Sequence, residues 1–198
     1  SDITGLSTGF SDLDTMTSGW QKSDLVIIAG RPSMGKTAFA MNMVEHATLN
    51  QDRPVLVFSL EMPANQLIIR MLSSIGKIDQ TRMRSVNLVE DDWPRLSSAA
   101  QRLKDKPLFI DDSAGITPLE MRNRIKQFTR ERVEQLRQKW HQEHGADVPA
   151  DSESLYKQAQ PGMIMVDYLQ LMNGSSSAEG RVQEISQISR ELKGLARD

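Results

Sequence analysis

The chain has 198 residues, a formal net charge of −2 and no cysteine. This length suffices for one α/β domain with a sizeable core, and the near-neutral charge excludes a global attraction to nucleic acid, so any such contact must come from a local patch. The lack of cysteine excludes disulfides and cysteine-based metal sites and fits a reducing cytoplasm, while the absence of a membrane-spanning run or a signal-peptide pattern predicts a cytoplasmic protein without a membrane partner.

The first segment, residues 1–24, is turn-rich and punctuated by glycine. This composition predicts a short helix over about residues 11–16, with Ser11 as its N-cap. The simpler interpretation is that the segment packs against the first strand. The alternative is that it also shapes the ligand pocket formed by the motif that follows it in the chain.

A phosphate-binding motif follows. The apolar run Leu25–Ala29 predicts a buried strand, and the residues after it match G-x-x-x-x-G-K-T. A helix is predicted from there to about Asn50. The candidate nucleotide-binding residues are Gly30, Arg31, Pro32, Ser33, Met34, Gly35, Lys36, Thr37 and Ala38.

Phosphate binding requires these residue types. Gly30 and Gly35 allow the backbone angles and the close approach that aim successive N–H groups at a phosphate, and the helix adds the positive end of its dipole. Lys36 has the reach and charge for the β- and γ-phosphates, and the Thr37 hydroxyl suits Mg²⁺. The motif therefore predicts a bound nucleotide. A glycine turn that matches by accident is the competing interpretation.

A second buried strand is predicted over Pro54–Leu60, with Glu61 at its carboxyl end. Ligands of open α/β sheets lie outside the carboxyl ends of the strands, so this carboxylate is placed to act as a general base on water. The alternative is that Glu61 caps the following helix, with Pro63 in the first turn. Position alone does not separate the two interpretations.

Residues 65–104 show two helical patterns. Hydrophobic periodicity predicts helices over about 65–75 and 90–104. Between them, residues 78–88 form a mixed, basic connector.

A third strand is predicted over Pro107–Asp112 and ends in two acids. Adjacent side chains point to opposite faces of a strand, so Asp111 and Asp112 do not form a catalytic pair by themselves. We interpret them as turn formers.

A long helix is predicted over about residues 117–143. Thr117 and Glu120 have the spacing of a capping box at its start. One face of this helix carries the apolar residues Met121, Ile125, Phe128, Leu136 and Trp140. The composition then shifts, and residues 145–160 are expected to form a loop with a short helical turn.

The fourth predicted strand, Met163–Asp167, ends in an acid. An aspartate at a strand end is the expected partner of a phosphate loop, where it lies beside Thr37 and supports Mg²⁺ through water. The competing interpretation is an ordinary strand-end acid. Residues 173–180 are expected to form a flexible loop, and residues 181–197 a helix with one apolar face.

With these residues identified, the chain resembles the bacterial replicative DNA helicase family of the DnaB type. The stretches that carry the resemblance are Thr4–Gly5, Thr8–Phe10, Leu13–Asp14, Arg31–Thr37, Phe58–Met62, Ile110–Asp112, Asp167–Leu171 and Glu184–Arg190. The resemblance implies a RecA-like P-loop NTPase of the α/β class, with a mostly parallel central sheet and helices on both faces. Within these stretches, Ser59–Met62 and Asp167–Leu171 are far more specific than the phosphate loop.

The resemblance also implies roles and partners. Lys36 and Thr37 would bind the phosphates of ATP and Mg²⁺, Glu61 would orient the attacking water, and Asp167 would be the acid of the metal shell. The family forms a homohexameric ring around single-stranded DNA, moves 5′ to 3′, and works with primase and a helicase loader. Arg181 lies in the loop that faces the ring channel in such motors. It is a candidate DNA contact, with a solvated helix start as the alternative.

Residues 1–198 are accordingly expected to form a partial motor domain, truncated at its C-terminal side. The family's collar domain, sensor strand, main DNA-binding loop and arginine finger are expected outside this stretch, so we expect no unwinding from it alone. Residues 131–161 are longer than the family pattern and are interpreted as a helical or loop insertion. Two alternatives stay open: a recombinase-like ATPase of the RecA superfamily, and a non-catalytic, nucleotide-dependent assembly module.

Overall fold

The computed structural model describes residues 5–19, 35–149 and 153–167, together with residues 179, 180, 183, 186 and 187. The predicted first strand, Leu25–Ala29, and most of the predicted C-terminal helix lie outside these residues. The helices are α1 (Ser11–Thr17), α2 (Lys36–Asn50), α3 (Ala64–Gly76), α4 (Gln80–Ser85), α5 (Asp92–Lys104), α6 (Pro118–His144) and α7 (Glu153–Ala159). The strands are β1 (Val55–Ser59), β2 (Leu108–Asp111) and β3 (Met163–Asp167). Within the described ranges, no helix is both long and apolar enough to cross a membrane.

The described strands form a parallel sheet in the order β2–β1–β3. In this register Ser59 is the partner of Asp167, and Phe58 is the partner of Asp111. The carboxyl ends of all three strands therefore meet at one edge, where ligands of open α/β sheets bind. The parallel sheet predicted from the sequence is confirmed.

Both faces of the sheet are covered. Every residue of the central strand β1 is buried, as expected for a strand with helices on both sides. Val55 and Val57 pack with residues of α2 and α3 in one cluster. Leu56 and Phe58 pack with residues of α6 in the other. The alternation of side chains along β1 thus supplies two cores, and the prediction of helices on both faces is confirmed.

A substitution of Leu67 in α3 tests the assignment of the core that contains Val55 and Val57. Leu67 has no exposed surface and packs in the cluster with these two valines. We expect Leu67→Ala to lower the free energy of unfolding by about 2–5 kcal/mol, because the residual cavity adds to the lost transfer energy. Urea denaturation measures the change. Leu119→Ala is the matched control because Leu119 is 60% exposed, and an equal effect of both substitutions would contradict the core assignment.

The N-terminal helix differs from its prediction. α1 begins at Ser11, the N-cap position is Phe10, and no side chain caps the helix, so the assignment of Ser11 as N-cap is wrong. Instead, Asp14 inside the helix accepts hydrogen bonds from the Ser7 hydroxyl (2.6 Å) and from the N–H and hydroxyl of Thr8 (both 2.8 Å). The Asp14 carboxylate therefore holds Ser7 and Thr8 against the helix, and no side chain caps the first turn.

The Asp14 carboxylate makes the stability of the fold depend on pH in the acidic range. Burial by itself would raise the pKa of Asp14, but the hydrogen bonds from Ser7 and Thr8 outweigh it and lower the pKa below its ordinary value of 3.8. A lowered folded-state pKa means that the stabilisation is present above the ordinary value and is lost as the pH falls through the folded-state pKa. We expect Asp14→Asn to lower the free energy of unfolding by about 1–3 kcal/mol at neutral pH. The variant should also lose less stability than the native protein as the pH falls. Thermal melts between pH 2 and 7 check this. Asp12→Asn, at an exposed position of the same helix, is the control.

The long helix α6 begins as predicted and ends differently. The capping box is confirmed, because Glu120 N–H donates to the Thr117 hydroxyl (3.1 Å) and Thr117 N–H donates to the Glu120 carboxylate (2.9 Å). Met121 and Ile125 are buried, but Trp140 is 36% exposed and stacks on His144. The apolar face predicted from the sequence is therefore buried near the start of the helix and partly exposed near its end. A helix of 27 residues is about 40 Å long, against about 17 Å for a five-residue strand, so its last turns extend past the sheet.

The region of the expected insertion has helical structure. α6 continues through its first part, and α7 packs back against α6 with Leu155 and Ala159 buried. The side chain of Arg53 donates to the carbonyls of Gln160 (3.2 Å) and Pro161 (3.0 Å), which fixes the end of the segment before β3. That residues 131–161 are an insertion stays a prediction. Another helix, α4, lies within the connector, where the Asp79 carboxylate caps it by accepting from Arg82 N–H (3.0 Å).

Candidate functional site

The end of the phosphate-binding motif lies at the start of α2. Gly35 occupies its N-cap position with a left-handed backbone (φ +72°). Among the described residues, no atom lies within 4 Å of a Cβ built at this position, so the backbone angle accounts for the glycine. Lys36, Thr37 and Ala38 form the first turn of the helix, where backbone N–H groups have no partner within the helix. This turn can therefore donate to an anion.

Asp167 lies beside this turn. The Thr37 hydroxyl donates to a carboxylate oxygen of Asp167 at 2.9 Å, across 130 positions of the chain. The Lys36 ammonium lies 4.0 Å from the other carboxylate oxygen. Both side chains are largely shielded, with 14% of Lys36 and 6% of Asp167 exposed. The fold thus brings together a hydroxyl, a carboxylate and an ammonium group at one edge of the sheet.

This donor set fits Mg²⁺. The ion prefers oxygen ligands and is commonly held by one or two carboxylates together with substrate phosphates. The Thr37 hydroxyl and the Asp167 carboxylate supply hard oxygens at adjoining positions, and Asp167 is well shielded from solvent. Thr37 and Asp167 are therefore the residues that would hold the ion, directly or through water.

Glu61 follows the neighbouring strand. The N–H of Leu60 donates to the Asp167 carbonyl at 2.6 Å, so the chain that leaves β1 is joined to the end of β3 immediately before Glu61. The Glu61 side chain is exposed, and no described residue forms a hydrogen bond or an ion pair with it. A carboxylate that is exposed at the carboxyl edge of the sheet can approach water beside a bound phosphate.

The alternative role of Glu61 as a helix cap is wrong. α3 begins at Ala64, and Pro63 occupies the N-cap position rather than the first turn. The first N–H of the helix, that of Ala64, donates instead to the Asp112 carboxylate at 2.8 Å. Glu61 is thus not engaged at this helix end.

The adjacent acids Asp111 and Asp112 have different partners. Asp111 accepts from Ser113 N–H (2.9 Å), as expected of a turn former, and pairs with the guanidinium of Arg124. Burial by itself would raise the pKa of Asp111, but the bonds from Arg124 and Ser113 outweigh it and lower the pKa. Asp112 reaches across to α3 instead. The prediction that they do not act as a catalytic pair agrees with these partners.

Two sets of predicted site residues lie outside the part of the chain that the structure describes: the first part of the phosphate-binding motif, Gly30 to Met34, and Arg181. Sequence reasoning also passed over Ser59, whose buried hydroxyl contacts the backbone of Met62. The signal was present in the sequence, because Ser59 is the one polar side chain in the strand Val55–Ser59.

Comparison with known proteins gives a family. A model described as the DnaB-like helicase C-terminal domain matches residues 5–138 and 142–198. The replicative DNA helicase DnaB of Haemophilus influenzae is 45% identical over 200 residues, an alignment that covers 100% of this chain and 37% of that protein. The replicative DNA helicase DnaC of Bacillus subtilis is 42% identical over 198 residues, covering 100% of this chain and 38% of that protein. The chain thus spans well under half the length of these relatives.

Similar solved structures point to the same family. A DnaB-like replicative helicase, studied with its interactions with primase, superposes with a TM-score of 0.70 at 32% identity and covers 100% of this chain and 41% of that one. A structure described as an ATPase domain also gives a TM-score of 0.70 at 32% identity, covering 99% of this chain and 61% of its own. The fold is therefore RecA-like, and by sequence and structure this chain belongs to the DnaB-like helicase C-terminal domain family.

Proposed function

We propose that this chain is the ATP-binding and ATP-hydrolysing part of a replicative DNA helicase, a hexameric ring that unwinds duplex DNA in the 5′ to 3′ direction. The observation that carries the proposal is the contact of Thr37 with Asp167, with the loop of Glu61 joined to the same strand end. Membership of the helicase family supports it.

Each residue has a defined role in this proposal. The phosphate loop from Gly30 to Ala38 donates N–H groups to the phosphates, and Lys36 places its positive charge on the β- and γ-phosphates. Thr37 and Asp167 would hold Mg²⁺, and the ion would supply neutralisation of the charge on the transferred phosphoryl group. Glu61 orients the attacking water and accepts its proton. The water oxygen forms a bond to the γ-phosphorus while the bond from the γ-phosphorus to the oxygen that bridges it to the β-phosphate breaks, which yields ADP and phosphate.

The partners are proposed from the family. Single-stranded DNA, other copies of the same protein, a primase and a helicase loader would complete the motor. Support for the primase comes from the similar structure that was studied with primase interactions. Arg181 is proposed as a DNA phosphate contact, whose loss would reduce the salt dependence of binding slightly. Action on DNA and a cysteine-free sequence support a cytoplasmic location.

The proposal is tested by the ATP turnover of the complete protein that carries this sequence, with and without single-stranded DNA, alongside its assembly state in solution. We expect a hexamer with turnover that is stimulated by DNA and supports strand separation. Lys36→Ala should abolish turnover because the phosphates lose their positive partner. Nucleotide-dependent assembly without turnover would instead favour the non-catalytic module, and filament formation on DNA would favour a recombinase.

A further inference from the structure

The loop that carries Glu61 is closed by a single buried side chain. Ser59, at the end of β1, is 1% exposed. Its hydroxyl donates to the Met62 carbonyl at 2.7 Å and accepts from Met62 N–H at 3.2 Å. Both backbone groups of Met62 are thus satisfied by the same hydroxyl. Removing it would leave the two groups without these bonds.

Two further hydrogen bonds connect this loop and the helix after it to residues at the ends of the neighbouring strands. Leu60 N–H donates to the Asp167 carbonyl at 2.6 Å, which joins the start of the loop to the acid that lies beside Thr37. At the other end, the Asp112 carboxylate accepts from Ala64 N–H at 2.8 Å and holds the first turn of α3. The loop Leu60–Pro63 is therefore bonded at its start to the end of β3, and the helix that follows it is bonded to Asp112, the residue after β2.

Glu61 itself is not held by its side chain. No described residue bonds to its carboxylate, while its chain neighbours Leu60 and Met62 are both fixed through their backbones. The direction of the Glu61 side chain is therefore set by the backbone of this loop, and the backbone is closed by Ser59. Catalytic groups must be held in the productive geometry because small displacements cost rate.

We propose that Ser59 is a positioning residue for Glu61: its hydroxyl closes the loop over Met62 and aims the Glu61 carboxylate at the water that attacks the γ-phosphate. The proposal rests on the proposed role of Glu61 as the base. It assigns to Ser59 no contact with nucleotide or water. It predicts that loss of the hydroxyl lowers turnover without weakening nucleotide binding.

The test uses single-turnover ATP hydrolysis and ATP binding in the complete protein. Ser59→Ala should lower the hydrolysis rate about 10- to 100-fold with an unchanged Kd for ATP. Ser59→Thr keeps a hydroxyl and should recover much of the rate. Ser73→Ala is the matched control, because the Ser73 hydroxyl is also largely buried but donates to the Ile69 carbonyl within α3 (2.7 Å). It should leave the rate unchanged.

A double-mutant cycle separates positioning from a general structural effect. In a Glu61→Gln background, Ser59→Ala should cause no further loss, because residues that act as a unit are non-additive. The same fold loss in both backgrounds, or no loss in the native one, would overturn the assignment of Ser59 while leaving the role of Glu61 intact. If Glu61→Gln alone retains full turnover, the proposed role of Glu61 as base fails, and the role of Ser59 fails with it, whereas absence of turnover in the unaltered protein is what would overturn the proposed function.

Discussion

Glu61→Gln is expected to lower the rate of ATP hydrolysis by about 10²- to 10⁴-fold, the range that general-base catalysis contributes. Glutamine keeps the size and the hydrogen-bonding oxygen but cannot accept a proton from water. The structure favours an isolated effect on the chemical step, because the Glu61 side chain is exposed and no described residue bonds to it. The fold should therefore tolerate the change, and the Kd for ATP should stay close to that of the unaltered protein.

The measurement is single-turnover hydrolysis with ATP binding determined in parallel. Glu90→Gln is the matched control, since Glu90 is also exposed but lies in the connector between α4 and α5. We expect the control to leave the rate unchanged. An equal loss in both variants, or weaker ATP binding as the sole change in Glu61→Gln, would contradict the role of Glu61 as base.

Asp167→Asn is expected to lower Mg²⁺-dependent turnover by about 100-fold. The amide oxygen can still accept from the Thr37 hydroxyl, which lies 2.9 Å from the carboxylate in the native protein. The negative charge that would support the ion in the proposed site is lost, and partners that orient a metal typically contribute about 10- to 100-fold to metal affinity or activity. The Lys36 ammonium, 4.0 Å away, also loses its counter-charge.

A titration with Mg²⁺ at saturating ATP distinguishes this effect from misfolding. The variant should require more Mg²⁺ for half-maximal turnover while its thermal melting without nucleotide changes little. Asp52→Asn, at an exposed position before β1, provides the control. An unchanged Mg²⁺ requirement together with a normal rate would remove Asp167 from the metal site.

Local patterns in the sequence predicted much of this structure. The start of α6 follows from Thr117 and Glu120, because a capping box involves residues three positions apart. The strands β1 and β3 follow from apolar runs, and their order along the chain is enough to predict a parallel arrangement with helical connections. The expected roles of Lys36, Glu61 and Asp167 came from family motifs. The structure places these three residues near the carboxyl edge of the sheet.

Other features could not be read from local patterns. The exposure of Trp140 depends on how far α6 extends beyond the sheet, which its periodicity does not show. The capping interaction at α3 comes from Asp112, which is 48 positions away from Ala64. These contacts depend on which elements become neighbours in space. That property is set by the packing of the whole domain.

The sequence by itself determined that a phosphate loop, a strand-end glutamate and a strand-end aspartate are present, because each is a local motif with its own flanking strand or helix. Only the tertiary structure decided that Thr37 and Asp167 are in contact and that the Glu61 loop is closed by Ser59 and joined to the end of β3. The physical reason is that the parallel register places Ser59 opposite Asp167. The two strands are neighbours in the sheet but far apart in the sequence, so local conformational preferences do not specify their pairing.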